Sequence, residues 1–304
     1  MDDKAIREKA VAYSALTLYY DGDGEKAWSL LEGLDADFSL SFASYTREFA
    51  SSPEEEARFN SLWRDVRLSF GDSRIPFTVI PYSEEGNPVH FLYLAGRSEL
   101  LEERKLVFLG SVMPSLQGRN DTALAVMEAV KNGYSVLAPF EPGLGPYALS
   151  VALKEGGNAV AVLSSELSKC PSENLLPLME EIYKRGLLVS QFPPCVKREK
   201  WHVVLRNRFL SSFGDAFYMA EEKDGGPGWA VFDAALKNGR KCALAHSAVE
   251  NPNFSWCSDR VGKGAVVIRK PREIKSLFTV PRKRRPAVED TTGDLFGYAP
   301  TLDA

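Results

Sequence analysis

Residues 186–219 read GLLVSQFPPCVKREKWHVVLRNRFLSSFGDAFYM. An apolar run, Leu187–Val189, stops at Ser190-Gln191-Phe192-Pro193-Pro194, and a cluster of positive charge follows. Arg206-Asn207-Arg208 then opens a helix-like run to Phe213, and a second apolar run, Ala216–Met219, comes next. Short runs this apolar, with a helix between them, fit strands of a parallel sheet buried on both faces. Forked Arg donors beside the free N–H groups of a helix start would suit a phosphate. The segment is therefore a candidate polyanion site, with Arg206, Asn207 and Arg208 at its centre and Lys197, Lys200 and Trp201 beside them.

The same alternation extends outward from it. Apolar runs fall at Val89–Leu94, Leu106–Leu109, Ser135–Leu137, Ala159–Leu163, Lys241–Ala245 and Ala265–Ile268. Helix-like stretches separate them at Arg119–Asn132, Tyr147–Glu155, Glu173–Arg185 and Trp229–Asn238. Gly133, Gly156, Gly186 and Gly239 follow such stretches, where a left-handed C-cap is expected. The pattern predicts an α/β fold, a Rossmann-like, doubly wound and mostly parallel sheet over residues 76–270. Residues 1–75 are rich in Ala, Leu, Glu and Lys and predict a small helical N-terminal domain, with a helix start at Pro53-Glu54-Glu55-Glu56. Residues 271–304 are basic and proline-bearing, and predict a flexible tail that is either solvated or loosely held on nucleic acid.

The 304 residues carry 37 Lys+Arg and 41 Asp+Glu, a net charge of −4, but the balance is uneven. Residues 1–88 hold 9 cations against 17 anions, and residues 89–270 hold 22 against 19. An anion-binding surface belongs in the middle section. No apolar run reaches the length of a membrane span and the N-terminus lacks a secretory signal, so a cytoplasmic protein is expected. Cys170, Cys195, Cys242 and Cys257 lack C-x-x-C spacing, which predicts reduced, packed thiols and neither zinc nor a disulfide framework. Asp21-Gly22-Asp23-Gly24 looks like the opening of a calcium loop, but Lys26 stands at the sixth position, where glycine is required. A turn between helices is expected there instead.

Loops after the predicted strands carry the remaining candidates. Gly110-Ser111 would let backbone N–H groups approach a phosphate. Pro139–Gly145 is a constrained turn without a basic group, and Asp224–Trp229 is a Gly-rich turn into a helix. Neither G-x-G-x-x-G nor G-x-x-x-x-G-K-[ST] occurs, so no nucleotide cofactor is expected.

The order of these loops over roughly Phe77–Val267 resembles the DprA/Smf family of DNA-processing proteins. Leu92–Arg97 stands where that family has a strand ending in Gly, and Val107–Ser111 where it has V-G-S-R. Gly133–Ala138 resembles the stretch before its S-G-L-A-R-G-I-D loop, and Cys170–Asn174 its Y-P-x-E-N. Ser190–Pro194 resembles S-E-F-P-P, Arg206-Asn207-Arg208 its R-N-R, and Gly239-Arg240 and Gly264-Ala265 its closing strands. The departures are Val112 for the Arg of G-S-R, Pro142 and Gly145 for the Arg and Asp of A-R-G-I-D, and Val203 for an aromatic. Gly226-Pro227-Gly228 and Ala245-His246-Ser247 replace two further turns.

The resemblance implies a non-enzymatic protein that binds and protects single-stranded DNA and loads the RecA recombinase during DNA uptake. It allows a homodimer and no membrane partner. The groups left to hold DNA are Arg206, Asn207, Arg208, Gly110 and Ser111, with Trp201 as the base-stacking candidate. The missing loop arginines leave open a diverged scaffold without DNA affinity. A phosphoribohydrolase-like enzyme is the remaining alternative; Gly225–Gly228 resembles the start of its motif, and Asp233 would have to supply the acid that Phe232 replaces.

Overall fold

The computed structural model describes residues 3–32, 50, 52–83 and 89–278. They divide into two compact units. The first consists of the described residues up to Ser73 together with those from Thr78 to Leu92. The second consists of Arg74–Phe77 and the described residues from Tyr93 onward.

In the first unit, helices α1 (Asp3–Tyr19), α2 (Gly24–Leu31) and α3 (Pro53–Gly71) pack around Ile6, Leu16, Leu31, Phe59 and Phe70. The Ser52 hydroxyl accepts from the Glu55 N–H at 3.2 Å, a cap that starts α3 where Pro53 predicts. Asp21–Asp23 is the expected turn, and the Asp23 carboxylate caps α2 by accepting from the Lys26 N–H at 2.9 Å. The short strand β1 (Thr78–Pro81) was not expected from the sequence.

The second unit is a mostly parallel sheet covered by helices. Its strands are β2 (Phe91–Gly96, whose first two residues belong to the first unit), β3 (Lys105–Leu109), β4 (Ser135–Pro139), β5 (Ala159–Leu163), β6 (Leu187–Ser190), β7 (Ala216–Met219), β8 (Lys241–Ala245) and β9 (Val266–Ile268). They lie in the order β2-β6-β5-β4-β3-β7-β8-β9. Every pairing from β3 to β9 is parallel, as in Val107↔Leu137, Val107↔Phe217 and Val162↔Val189; β2 runs antiparallel to β6 with Ala95↔Leu188. Between the strands run α4 (Leu116–Lys131), α5 (Leu144–Lys154), α6 (Leu176–Arg185), α7 (Lys200–Phe213), α8 (Gly228–Lys237), α9 (His246–Glu250) and α10 (Trp256–Gly262). Strands β3, β5, β6 and β7 are buried at every residue, which is why they read as unbroken apolar runs.

From β3 the chain steps outward through β4, β5 and β6, then returns to place β7 on the other side of β3. The crevice beyond the carboxyl ends of β3 and β7 is thus the switch point, where such sheets hold ligands. Asp215 pins this pair: its carboxylate accepts from the Lys105 N–H at 2.9 Å, and its N–H donates to the Lys105 carbonyl at 3.1 Å.

Three expectations need correcting. Helix α7 begins at Lys200, not at Arg206, so Arg206-Asn207-Arg208 lies in its middle. The Glu199 N–H donates to His202 Nδ1 at 3.3 Å at the true start. Pro271–Phe278 is a 3-10 segment with Ile274, Leu277 and Phe278 buried, and the Phe278 ring stacks on Tyr134 at 3.7 Å. Those three apolar side chains give it a core to join; the basic run from Pro281 on lies outside the described residues. Gly186 is not a left-handed cap, since its φ is −131°.

Gly133, by contrast, has φ of +73° with open space around its α-carbon, whereas a Cβ on Gly186 would lie 2.3 Å from the Ala159 carbonyl oxygen. Gly133→Ala is expected to cost about 1–2 kcal/mol through backbone strain alone. Gly186→Ala is expected to cost about 3 kcal/mol or more, because a backbone carbonyl cannot step aside. Urea unfolding of both variants checks the order, and a smaller loss at Gly186 would contradict the close approach.

Candidate nucleic-acid interface

The carboxyl ends of β3 to β8 carry every loop that the sequence singles out. After β3, the Ser111 groups expected to meet a phosphate are engaged with the protein. Ser111 is buried, its N–H donates to the Glu221 carbonyl at 3.0 Å, and its hydroxyl accepts from the Met113 N–H at 3.2 Å. A Cβ on Gly110 would lie 2.4 Å from Leu144 Cδ1, so this glycine serves close packing against α5. What the loop shows to solvent is apolar: Val112, Met113 and Leu116, the last 86% exposed.

The start of α4 is also occupied. The Glu221 carboxylate accepts from the Ser115 N–H at 2.6 Å and from the Ser115 hydroxyl at 2.5 Å, while Ser115 Oγ accepts from the Gly118 N–H at 3.0 Å. Glu222 does the same for α8. It accepts from the Gly228 N–H at 3.0 Å and the Lys223 N–H at 2.9 Å, and burial holds its carboxyl above the usual range. Helix N-termini attract anions. Here both are filled by buried glutamates of the chain itself, so the Gly-rich turn Asp224–Trp229 has no vacant phosphate seat.

The third anchored acid is Glu141, in the loop after β4. It forms an ion pair with Arg206, which is 4% exposed, and it accepts from the Ser164 hydroxyl at 2.6 Å. Arg198 Nε donates to Ser164 Oγ at 3.1 Å, and Arg206 Nε donates to the Asn207 side-chain oxygen at 2.9 Å. Arg206 thus points into the protein; burial lowers its pKa and Glu141 opposes the shift. Asn207 orients Arg206, and its own amide lies 3.5 Å from the Pro227 carbonyl. Neither residue is placed at the helix start that the sequence suggests.

The outward groups are Lys197, Arg198, Lys200, Trp201, Val204 and Arg208. Lys200, Val204 and Arg208 are spaced four residues apart on α7, which puts them on one face, with Trp201 beside it. Trp201 is 50% exposed and edge-on to His202, whereas Phe192 and Phe209 are buried. Phe192 stacks on His202 at 3.9 Å, and burial lowers the His202 pKa. Arg198, Glu141, Ser164, Glu221 and Glu222 did not stand out as site residues in the sequence. For the acids, no local signal distinguishes a carboxylate that caps a distant helix from a solvated one.

A shallow cavity of about 370 Å³ lies near the ends of β8 and β9, lined by Asp121, Tyr218, His246 and Arg269 among others. Its polar groups are largely engaged with one another: Ser247 donates to Asp121, Gln117 donates to Asp121 at 3.0 Å, and His246 pairs with Glu250 at 3.2 Å. Asp233, the acid that a phosphoribohydrolase-like reading requires, is held by a two-point pair with Arg260, at 3.0 and 2.7 Å. Among the described residues no group of three or more His, Cys, Asp or Glu is placed to hold a metal ion. All four thiols are unpaired, with burial raising Cys195, Cys242 and Cys257 to about 12. No described helix is long and apolar enough to cross a membrane.

The raised carboxyl of Glu222 fixes a pH dependence. A group whose pKa is higher in the folded state contributes stability that is complete below its unfolded value and is lost as pH rises through the folded one. The stability of wild type relative to Glu222→Gln should therefore fall as pH rises above about 4, the ordinary Glu value, read by urea unfolding at each pH. A difference that grows with pH would show that the two N–H donors outweigh burial.

Comparison with known proteins gives the family. A DNA processing protein DprA from Bacillus subtilis is 23% identical over 190 residues, covering 62% of this chain and 64% of the relative. The Smf protein of Synechocystis is 26% identical over 200 residues, 64% of this chain and 50% of that protein. The chain thus spans less than two thirds of these relatives' length. Among solved structures, DNA processing protein A from Streptococcus pneumoniae superposes with a TM-score of 0.64 at 17% identity, over 90% of this chain and 95% of that one. A second, described for its single-stranded DNA binding mode, is DNA processing protein A from Helicobacter pylori, with a TM-score of 0.60 at 18% identity over 67% of this chain and 96% of that one. These two likenesses concern the fold. The model for DNA recombination-mediator protein A matches residues 68–279, a span that takes in strands β1 to β9, and the chain belongs to that family.

Proposed function

We propose that this chain binds single-stranded DNA along the loop Lys197–Glu199 and the outer face of α7, protects it, and loads RecA-type recombinase on it during DNA uptake. The observation that carries this reading is the row Lys197, Arg198, Lys200, Trp201 and Arg208, where exposed cations stand with a half-exposed indole in a family of DNA recombination mediators. Cations that track a backbone beside an aromatic ring on which bases stack are what strand binding without sequence preference requires. Val112, Met113 and Leu116 provide an apolar rim at the same edge of the sheet.

The competing reading, a scaffold without DNA affinity, draws on the inward turn of Arg206 and the buried Ser111. Fluorescence anisotropy with a labelled oligothymidylate, titrated over salt, separates the two. Engagement of three or four phosphates predicts a slope of log affinity on log salt of about −2 to −3. Changing Lys197, Lys200 and Arg208 together to Ala should flatten that slope, while Trp201→Ala should cost about 1–3 kcal/mol with the slope kept. Absence of binding at low salt would favour the scaffold.

A further inference from the structure

Three carboxylates at the carboxyl edge of the sheet face donors of the protein itself, and one differs from the others. Glu221 and Glu222 are sealed under the loops they cap. Glu141 is 21% exposed while its partner Arg206 is almost wholly buried, so water reaches the anion and not the cation. The Glu141 backbone sits between fixed points, since the Phe140 N–H donates to the Val162 carbonyl at 2.9 Å and the Phe140 side chain is buried. Its side chain alone can therefore swing outward without moving the strand.

With the carboxylate swung away, the Arg206 guanidinium and the Ser164 hydroxyl would be aimed at one place. Arg198 lies beside them, 3.1 Å from Ser164 Oγ, and Asn207 keeps Arg206 oriented. Two guanidinium groups and a hydroxyl form a donor set suited to a phosphate. A buried Arg stripped of its partner is strongly destabilising, so only another anion can take the place of Glu141. Arg198 also belongs to the exposed cationic row, which brings a backbone bound there next to this point.

We propose that Arg206, Ser164 and Arg198 form a phosphodiester subsite whose resident occupant is the Glu141 carboxylate, and that a strand phosphate exchanges for it. The proposal rests on the single-strand reading above and adds an inner contact to the outer face. It also gives Arg206 a part in binding that its buried position otherwise denies. The exchange replaces one anion by another, so the charge beside Arg206 is unchanged and the released Glu141 carboxylate is solvated.

The test compares wild type, Glu141→Gln, and the double variant Glu141→Leu/Arg206→Met on labelled oligothymidylate over a range of salt. Replacing both members of a buried pair by apolar residues is tolerated where removing one is not, so the double variant is expected to fold. Glu141→Gln removes the competing charge and should bind about tenfold tighter, as loss of a competitor worth one charge-assisted contact provides. Its salt slope should match that of wild type, since both engage the same phosphates. The double variant, which lacks the seat, should bind more weakly than wild type with a slope shallower by about 0.7, the increment for one phosphate of a single strand. Should Glu141→Gln fail to fold, Glu141→Asp draws the carboxylate back and should show the same direction with smaller amplitude.

Glu141→Gln binding no tighter than wild type, with the double variant no weaker, would overturn the subsite and leave the outer face standing. No strand binding by any variant would overturn the single-strand reading and, with it, the phosphodiester as ligand. Inorganic phosphate reads the seat without DNA: it should raise the Tm of Glu141→Gln above that in chloride of equal ionic strength, and leave the double variant unmoved. An equal response of both would overturn the seat itself.

Discussion

Glutamates that satisfy the protein's own donors govern the edge of the sheet where ligands of this architecture sit. Each helix entering from that edge leaves N–H groups without partners, and a buried polar group without a partner is costly. Glu221 closes the start of α4 through Ser115, and Glu222 closes the start of α8 through Gly228. The space each fills is visible in the glycines around it. A Cβ on Gly118 would meet the Glu221 carboxyl carbon at 2.3 Å, and one on Gly226 would meet the Glu222 carboxyl oxygen at 2.2 Å. The switch point of this Rossmann-like sheet is packed with its own anions, which is why a doubly wound fold here need not imply a nucleotide.

On the proposed single-strand reading, recognition falls outside the closed crevice. A strand with a phosphate at every nucleotide needs a surface it can follow, and the proposed one is the loop after β6 with the outer face of α7. β6 ends at Ser190, Pro193 and Pro194 carry the chain on towards Lys197, and the capped start at Glu199 then fixes the direction of α7. From there, helical periodicity decides which charges serve outside and which inside. Lys200, Val204 and Arg208 share a face, while Arg206, two residues before Arg208, is turned to the protein and meets Glu141. A single motif, Arg206-Asn207-Arg208, is thus split between an inner ion pair and an outer charge, with Asn207 holding the inner one in place.

The strands were legible because their chemistry is local. Ala159–Leu163 and Ala216–Met219 coincide with their apolar runs, since a strand buried on both faces has no polar positions to blur it, and Lys241–Ala245 does so apart from its exposed first residue. The start of α7 was not legible, because His202, Val203 and Val204 have middling helix propensity and the cap lies in a hydrogen bond from Glu199 to an imidazole. The direction of Arg206 was hidden for a different reason. Its partner Glu141 is 65 residues away, and charge composition cannot tell a guanidinium facing water from one facing a buried acid. The short elements β1, α9 and α10 leave too little periodicity to read. Gly186 was read as a left-handed cap, since a glycine that allows close approach looks the same in sequence as one that allows a left-handed turn.

The β3 and β4 loops, which depart from the family's pattern, lie against one another. Gly143 lies against the β3 loop, where a Cβ would approach the Ser111 carbonyl oxygen at 2.6 Å and Val112 Cα at 2.8 Å. The β4 loop is therefore pressed onto the loop that carries Val112 in place of an arginine. Two residues on, a Cβ at Gly145 would stand 2.3 Å from the Pro139 carbonyl oxygen, so the family's Asp cannot be restored there without moving the backbone. The tight approach at Gly143 lies in the same loop as Glu141, which meets Arg206. The exposed cations Lys197, Arg198, Lys200 and Arg208 lie away from that contact, on the loop after β6 and along α7.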